Sequence, residues 1–307
     1  MRERDLIARL LRPLATSPAA RGLADDAAVF APPLGRDLVF THDVLAAGVH
    51  YLPGDPPGDV AWKLLAVNLS DLAAMGAMPL GVLLGLGLSG TEDEAWLTAF
   101  TAGLGRAMDR WGVALWGGDT VRGLSAAVLG LTAVGSVTPG AALARSGARP
   151  GDGLWVSGTI GDAGLGLAIA CGEAAPDKAL LARYRRPEPR LALGRALVGV
   201  ASSAMDVSDG LLIDAERLAA ASGVGLTVDL TRVPVSAAAA ARTVHDDAGL
   251  ASLASAGDDY ELLFTAPAGA VVPTGTTRIG QATAGAGLTV LGLGGAPIVP
   301  ARLGYEH

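Results

Sequence analysis

Apolar positions in the first half of the chain fall into two patterns. Short apolar stretches typical of buried strands occur at residues 38–40, 80–88, 113–116 and 126–134. Longer stretches with helical spacing separate them, at residues 60–75 and 92–111, with Asp59 and Thr91 as the expected N-caps. The first half is therefore predicted to mix helices with strands.

The second half repeats this alternation after a polar segment, residues 145–153, that contains glycine and proline. The pattern predicts strands at residues 154–157, 204–207, 226–230 and 260–265, and helices at 163–171, 188–198, 211–221 and 237–241. We expect an α/β protein with two domains, residues 1–139 and 140–307, because each half is long enough to bury its own core.

Two uncharged runs, residues 72–91 and 123–144, approach the length of a membrane-spanning helix. Gly76 and Pro79 interrupt the first run, and Gly130, Gly135 and Pro139 interrupt the second. We therefore predict turns and buried strands here and no membrane association.

Charge and cysteine content narrow the function classes further. Lys and Arg total 23 against 30 for Asp and Glu, so the net charge of −7 gives no broad attraction to nucleic acid. The first residues lack the apolar core of a signal peptide, since Arg9, Arg12 and Pro13 interrupt them. The single cysteine, Cys171, fits a reducing compartment, and we expect a cytoplasmic protein.

Aspartates at the ends of apolar elements are the most informative chemical feature. They are Asp25, Asp26, Asp43, Asp71, Asp119, Asp206 and Asp209. Converging carboxylates repel one another unless a cation neutralises them, and Mg²⁺ prefers such oxygen ligands. The alternative is that each Asp caps a helix or closes a turn, and this stays open for Asp209. Asp71 favours a ligand role, because it shares an apolar helix face with Asn68.

Two glycine-rich segments could bring backbone close to a ligand. Residues 117–120 follow a predicted strand, and residues 158–164 open a predicted helix, where N–H groups can bind phosphate. Each is also compatible with a plain turn. Neither Lys63 nor Lys178, the two lysines, lies in a P-loop pattern, so ATP chemistry would need another fold.

Taken together, six motifs resemble the thiamine-monophosphate kinase family and follow one another along nearly the whole chain. They are Asp25-Asp-Ala-Ala, Thr41-His-Asp-Val-Leu-Ala-Ala-Gly-Val-His50, Ala66-Val-Asn-Leu-Ser-Asp-Leu-Ala-Ala-Met-Gly-Ala77, Gly117-Gly-Asp-Thr-Val-Arg-Gly123, Asp206-Val-Ser-Asp-Gly210 and Ala256-Gly-Asp-Asp-Tyr-Glu-Leu-Leu-Phe264. The chain is also similar to the wider aminoimidazole-ribonucleotide synthetase-like superfamily. This implies an N-terminal mixed sheet with helices that pairs in a homodimer, and a C-terminal α/β domain that completes an ATP-binding cleft.

Carried over position by position, the resemblance implies roles for particular residues. Magnesium ions would be held by Asp26, Thr41, His42, Asp43, Asp71, Asp119, Asp206 and Asp209. ATP would be contacted by Gly118, Asp119, Arg145 and Ser208. Thiamine monophosphate would face His50, Asp258 and Tyr305. No covalent nucleophile is expected.

Three positions depart from the family pattern. Ala24 stands where relatives usually have Gly, His42 where they have a hydroxyl residue, and Asp258 where they have Glu. Imidazole is a poorer magnesium ligand than oxygen, so His42 either points away or alters one metal position.

The resemblance implies ATP-dependent phosphorylation of thiamine monophosphate to thiamine diphosphate by direct, magnesium-assisted transfer. Two alternatives stay open: another ATP-using enzyme of the same superfamily, and a noncatalytic nucleotide or divalent-cation sensor.

Overall fold

A computed structural model describes residues 2–306. The chain forms two compact units. The first comprises the residues up to Leu72 together with Ala77–Gly140, and the second comprises Ala73–Gly76 and the residues from Ala141 onward.

The first unit contains three α-helices and four strands within the described residues. The helices are α1 (Glu3–Leu6), α2 (Pro57–Ala74) and α3 (Glu94–Trp111), and the strands are β1 (Asp37–Ala46), β2 (Met78–Leu88), β3 (Ala114–Arg122) and β4 (Val128–Val137). Short 3₁₀ or π turns at Ile7–Leu11, Arg12–Leu14 and Pro18–Leu23 follow α1.

The four strands form one sheet in the order β1-β4-β2-β3. β4 runs antiparallel to β1 and β2, whereas β2 and β3 are parallel, so the predicted mixed sheet is confirmed. The two faces differ because side chains alternate along a strand. Leu129, Leu131 and Ala133 of β4 are buried on one face, whereas Phe40 and Val44 of β1 are exposed on the other.

The second unit contains six α-helices and seven strands among the described residues. The helices are α4 (Asp162–Ala170), α5 (Lys178–Arg185), α6 (Leu191–Leu197), α7 (Leu211–Ser222), α8 (Ala237–Ala240) and α9 (Asp247–Ala254). The strands are β5 (Gly153–Ser157), β6 (Ser203–Val207), β7 (Gly225–Asp229), β8 (Glu261–Ala266), β9 (Thr276–Thr283), β10 (Gly287–Leu291) and β11 (Pro297–Ile298). They form a mixed sheet in the order β11-β10-β7-β9-β5-β8-β6.

The core of the second unit joins this sheet to α7. Leu154 and Val156 of β5, Leu263 of β8, and Leu211 and Leu218 of α7 belong to one buried apolar cluster. Burial of this kind stabilises the sheet and helix together, since each covers the apolar side of the other. The predicted α/β class is confirmed.

Several predicted boundaries are wrong for identifiable reasons. Asp93, not Thr91, caps α3, because its side chain accepts a hydrogen bond from the Trp96 N–H. Asp59 is not a cap: α2 already begins at Pro57, a residue suited to a first helical turn. The helix predicted at residues 188–198 starts only at Leu191, after two prolines.

Four substantial elements escaped the sequence pattern. α5 and α9 are short helices of eight residues each, and β9 and β10 contain polar or glycine residues at many positions. In β9 only Ile279 and Ala282 are buried, which is too little alternation to predict a strand.

The two apolar runs have the predicted form. Residues 72–91 cover the end of α2, a turn and β2, and residues 123–144 contain β4. In residues 2–306, no helix combines the length and apolar character needed to cross a membrane.

Candidate functional site

β1 and α2 bring together three of the predicted ligands in the first unit. Thr41 and Asp43 alternate with His42 along β1, so their side chains share one face of the strand. Thr41 Oγ1 donates a hydrogen bond to Asp71 Oδ2 of α2. The Asp43 N–H donates to Asn68 Oδ1 over 3.0 Å. Thr41, Asp43, Asn68 and Asp71 are called the strand–helix group below.

Asn68 explains why this helix face tolerates polar residues. It is completely buried, and its Nδ2 donates to the Leu64 carbonyl oxygen, 2.9 Å away in the preceding helical turn. Its Oδ1 is thereby left to accept from β1. Asp71 lies three residues further along the same helix, so it faces the same strand. The shared face predicted for Asn68 and Asp71 is confirmed.

His42 lies on the opposite face of the sheet. Its Nδ1 is 2.9 Å from Thr132 Oγ1 of β4, and Thr132 also pairs with Leu83 of β2. The structure therefore does not bring His42 to the strand–helix group. Strand alternation is the physical reason, because a residue between two inward-facing neighbours points outward. We remove His42 from the candidate metal ligands.

His50 closes a turn after β1, and its tautomer is fixed by the backbone. The Ala46 N–H donates to His50 Nδ1 over 3.1 Å, so Nδ1 accepts and the ring proton resides on Nε2. The ammonium group of the buried Lys63 of α2 donates a hydrogen bond to the His50 carbonyl oxygen, 3.0 Å away. His50 is thus held as a neutral Nε2–H donor.

A pocket of about 510 Å³ gathers a second set of predicted residues in the first unit. Asp26, Gly118 and Asp119 all line it, together with Asp25 and Trp116. Asp25 also receives a hydrogen bond from Arg21. Phe30 stacks on Trp116 with ring centroids 4.5 Å apart, which holds the aspartate-bearing segment against β3.

The glycine segment at residues 117–120, for which a plain turn was the alternative to a ligand-binding role, is part of strand β3. β3 continues through Arg122 and stays paired with β2. A Cβ at Gly118 would collide with the Leu84 carbonyl oxygen, so glycine permits this close strand pairing.

The donor set of the strand–helix group suits magnesium. Thr41, Asp43 and Asp71 offer only oxygen atoms, and the Thr41–Asp71 contact places two of these oxygens close enough to share an ion. Over residues 2–306, however, no three His, Cys, Asp or Glu side chains form a ready metal cluster.

Three loops meet in the second unit and carry four of the predicted residues. Asp258 N donates to the Ser208 carbonyl oxygen over 2.7 Å, and Tyr305 N donates to the Asp209 carbonyl oxygen over 2.8 Å. Gly210 allows this close approach, because a Cβ at this position would lie only 3.2 Å from the Gly304 Cα, which is closer than most such contacts. Residues 208–210, 257–260 and 304–305 are called the three-loop group below.

Arg145 and Asp206 lie at different places beside this group. Asp206 is buried near the end of β6, two residues before Ser208. Arg145 is exposed and lies near the start of β6, because its neighbour Ala144 accepts a hydrogen bond from Ala204 N. Ser208 and Arg145, both predicted to contact ATP, are therefore at opposite ends of this short strand.

Asp214 of α7 holds the first of the three loops. Its side chain is completely buried, and Oδ2 accepts hydrogen bonds from Ser208 N at 3.0 Å and Asp209 N at 3.1 Å. Arg217 Nη1 donates to Asp214 Oδ1 at 2.9 Å and to Asp209 Oδ2 at 2.5 Å. Burial, and after it the Asp209 charge, raises the pKa of Asp214 to about 6.

The open alternative for Asp209, helix capping, is wrong. α7 begins after Gly210, and no side chain caps it. Asp214 was not among the residues predicted from the sequence, although it resembles Asp71 in being an acid on an apolar helix face. It is a carboxylate in an apolar helix, between the buried Leu211 and Leu218, and a buried carboxylate needs partners.

The second loop has an unusual backbone. Asp258 and Tyr260 have φ values of 62° and 50°, the left-handed region that residues with a Cβ rarely adopt. Tyr260 N donates to the Val207 carbonyl oxygen at 2.8 Å, and the Tyr260 hydroxyl donates to Asp258 Oδ1 at 3.1 Å. Such backbone conformations persist where the surroundings fix them, and they concentrate at functional sites.

The glycine-rich segment at residues 158–164 makes an internal contact where we considered a phosphate site. The Gly161 N–H donates to both carboxyl oxygens of Asp259, at 3.1 and 2.9 Å. Asp259 therefore lies at the N-terminus of α4, where a negative group is favoured. Burial raises the pKa of Asp259 to about 8, although the Gly161 N–H and Arg183 oppose this rise.

Glu261 directly follows the loop at residues 257–260 and anchors that end of it. It is completely buried and accepts from Arg183 Nη2 at 2.8 Å, from Arg190 Nε at 2.6 Å and from Ser157 Oγ at 2.5 Å. The carboxylate raises the pKa of Arg190. Paired and hydrogen-bonded in this way, a buried charge is tolerated.

Comparisons with known proteins identify both halves of the chain. Residues 24–137 match the family model of the AIR synthase related protein, N-terminal domain, and residues 149–291 match the C-terminal domain of the same family. The thiamine-monophosphate kinase of Caulobacter vibrioides is 43% identical over 99% of this chain and 90% of its own length. The same enzyme of Escherichia coli is 44% identical over 80% of this chain and 76% of its own length.

Solved structures agree with these sequence relatives. The thiamine-monophosphate kinase of Stenotrophomonas maltophilia K279a is 40% identical, with a TM-score of 0.81 over 91% of this chain and 93% of that chain. AaThiL complexed with AMPPCP and TMP is 29% identical, with a TM-score of 0.81 over 100% of this chain and 99% of that chain. Hydrogenase maturation protein HypE in complex with ATP, at 20% identity, shares the fold. The chain belongs to the thiamine-monophosphate kinase family.

Proposed function

We propose that this protein transfers the γ-phosphoryl group of ATP to thiamine monophosphate (TMP), giving thiamine diphosphate and ADP. The observation that carries the proposal is the strand–helix group, in which Thr41, Asp43 and Asp71 present oxygen donors from one strand and one helix. Family membership supports it, since a family member has been solved with AMPPCP and TMP.

Magnesium is the cation that this donor chemistry fits. In the first unit we assign Asp26, Thr41, Asp43, Asp71 and Asp119 as ligands, and in the second unit Asp206 and Asp209. When bound, the ions would offset the charge of the phosphate oxygens, which explains a candidate site rich in Asp and poor in Lys.

The remaining assignments concern the two substrates. For ATP we assign Gly118, Asp119, Arg145 and Ser208, with the exposed Arg145 guanidinium suited to bidentate contact with phosphate oxygens. For TMP we assign His50, Asp258 and Tyr305. The neutral tautomer of His50 suits this role, because an Nε2–H donates to an anionic oxygen without adding a charge.

No side chain has to form a covalent bond in this reaction. The accepting phosphate is largely ionised at neutral pH, so a strong general base is unnecessary. The residues named above have to bind two polyanions and hold the accepting oxygen in line with the γ-phosphorus.

We further propose that the protein is a cytoplasmic homodimer that pairs through the exposed face of the first sheet. Phe40 is 65% exposed on this face, and Val44, Leu83 and Val128 are exposed beside it. Several exposed apolar side chains on one face, here around His42, are typical of a protein interface. Sedimentation equilibrium at micromolar concentration should give twice the chain mass, and a monomer at all concentrations would contradict the pairing.

The reaction is tested by incubating the purified protein with TMP and ATP, with and without Mg²⁺, and separating the thiamine phosphates by chromatography. We expect thiamine diphosphate and ADP in equal amounts only when Mg²⁺ is present. Folded protein that binds ATP but forms no thiamine diphosphate would overturn the proposal. Reactions with free thiamine as acceptor serve as the control for substrate choice.

A further inference from the structure

The loop at residues 257–260 is held in place by hydrogen bonds of both its backbone and its side chains. Its backbone is bonded to the end of β6 at two points, through Asp258 N to Ser208 O and Tyr260 N to Val207 O. Between these points, Asp259 is buried and accepts two hydrogen bonds from the Gly161 N–H. The loop is therefore fixed on both sides of the Asp258 side chain.

This fixation maintains the left-handed backbone at Asp258 and Tyr260. Two such residues on either side of a pinned Asp259 bring the Tyr260 side chain back toward Asp258. The result is the hydrogen bond from the Tyr260 hydroxyl to Asp258 Oδ1, 3.1 Å long, made by a tyrosine that is 9% exposed.

A hydrogen bond to one oxygen of the carboxylate favours one orientation of that group. An Asp side chain at a loop has two rotatable side-chain bonds, and each contact that orders it beforehand lowers the free-energy cost of ordering it on binding. Removing the hydroxyl while keeping the ring leaves the packing of this largely buried residue in place, so the two contributions of Tyr260 can be separated by substitution.

We propose that Tyr260 is a positioning residue for substrate binding: its hydroxyl pre-orients the Asp258 carboxylate for contact with TMP, while Asp259 keeps the loop backbone in place. This inference rests on the proposed function, in which Asp258 contacts TMP. It assigns Tyr260 no contact with the substrate.

The test is a double-mutant cycle on the full chain, using Tyr260→Phe and Asp258→Ala. Tyr260→Phe keeps the ring and removes only the hydroxyl, so we expect KM for TMP to rise about tenfold. The value of kcat and the KM for ATP should stay unchanged, because the variant weakens only the binding of TMP through Asp258 and leaves phosphoryl transfer itself unaffected. In the Asp258→Ala background, Tyr260→Phe should have no further effect on KM, since the group that it orients is gone.

Tyr184→Phe is the matched control, because it removes a hydroxyl from another buried tyrosine in the same unit, and it should leave KM for TMP unchanged. Additive effects of Tyr260→Phe and Asp258→Ala would overturn the inference, and so would a Tyr260→Phe protein that melts well below wild type. If wild-type protein forms no thiamine diphosphate, the proposed function fails, and this inference fails with it. Normal wild-type turnover with an additive cycle overturns the inference alone.

Discussion

The strand–helix group and the three-loop group place their candidate site residues by different physical means. Thr41, Asp43 and Asp71 lie on a regular strand and a regular helix, and their positions follow from the periods of those elements. Ser208, Asp258 and Tyr305 lie on loops whose backbones are bonded to one another and to buried acids. In the first group, we assign the acidic side chains to magnesium binding. In the second, several acidic side chains hold the protein together.

We therefore predict that substituting an acid of the strand–helix group causes a large loss of activity and only a small loss of stability. Asp71→Asn keeps the size of the side chain and an oxygen that can accept from Thr41, but it removes the charge. We expect magnesium-dependent formation of thiamine diphosphate to fall by about 100-fold or more, a range typical for loss of one electrostatic contact to a transition state.

The melting temperature of Asp71→Asn should stay close to that of wild type, measured by circular dichroism alongside the activity assay. Asp109→Asn, an exposed change on α3 of the same unit, is the matched control and should retain full activity. Near-normal turnover of Asp71→Asn would remove Asp71 from the site.

The two groups also differ in how well the positions of their residues could be predicted from the sequence. Helical spacing predicted that Asp71 and Asn68 share a face, and the hydrogen bonds from Asp43 N to Asn68 Oδ1 and from Thr41 Oγ1 to Asp71 Oδ2 confirm it. Strand alternation leaves His42 on the other side of the sheet, a result that the residue pattern already contained. Regular elements are predictable because each residue direction depends only on its neighbours.

Loop positions depend on residues far away in the chain. The bond of Asp259 to Gly161 spans 98 positions, and that of Ser157 to Glu261 spans 104. Glycine-rich residues 158–164 therefore read as a possible phosphate loop, because nothing local shows that a distant carboxyl already uses the Gly161 N–H. Only the resemblance to a family singled out Asp258 and Tyr305 within these loops.

Asp214, the buried acid that holds residues 208–210, should contribute to stability where Asp71 does not. Asp214→Asn replaces an oxygen that accepts from Ser208 N and Asp209 N, or the oxygen that accepts from Arg217, by an amide donor. We expect the free energy of unfolding to fall by about 1–3 kcal/mol, the cost of leaving buried polar groups unpaired. Urea unfolding would measure it, with Glu216→Gln on the exposed side of the same helix as the control. An unchanged midpoint would show that Asp214 is not structural and would weaken the contrast with Asp71.

A further prediction concerns the pH dependence of stability through Asp259. Burial raises the pKa of Asp259 to about 8 in the folded protein, against an ordinary value of 3.8. Between these values the folded state holds a proton that the unfolded state has released, so the free energy of unfolding falls as pH rises, by up to about 1.4 kcal/mol per pH unit. Asp259→Asn resembles the protonated form and cannot titrate. Relative to wild type, the variant should therefore gain stability between pH 5 and pH 8.

Urea unfolding at several pH values between 5 and 8 would measure this difference, with the exposed Glu173→Gln as a control that should show none. A constant difference between Asp259→Asn and wild type across this range would mean that Asp259 is already ionised in the folded protein. The Gly161 N–H and the Arg183 charge would then outweigh burial, and the second loop would be held by a charged group at the N-terminus of α4. A difference that grows with pH would establish Asp259 as a carboxyl whose pKa changes on folding, because only such a group makes stability depend on its own protonation.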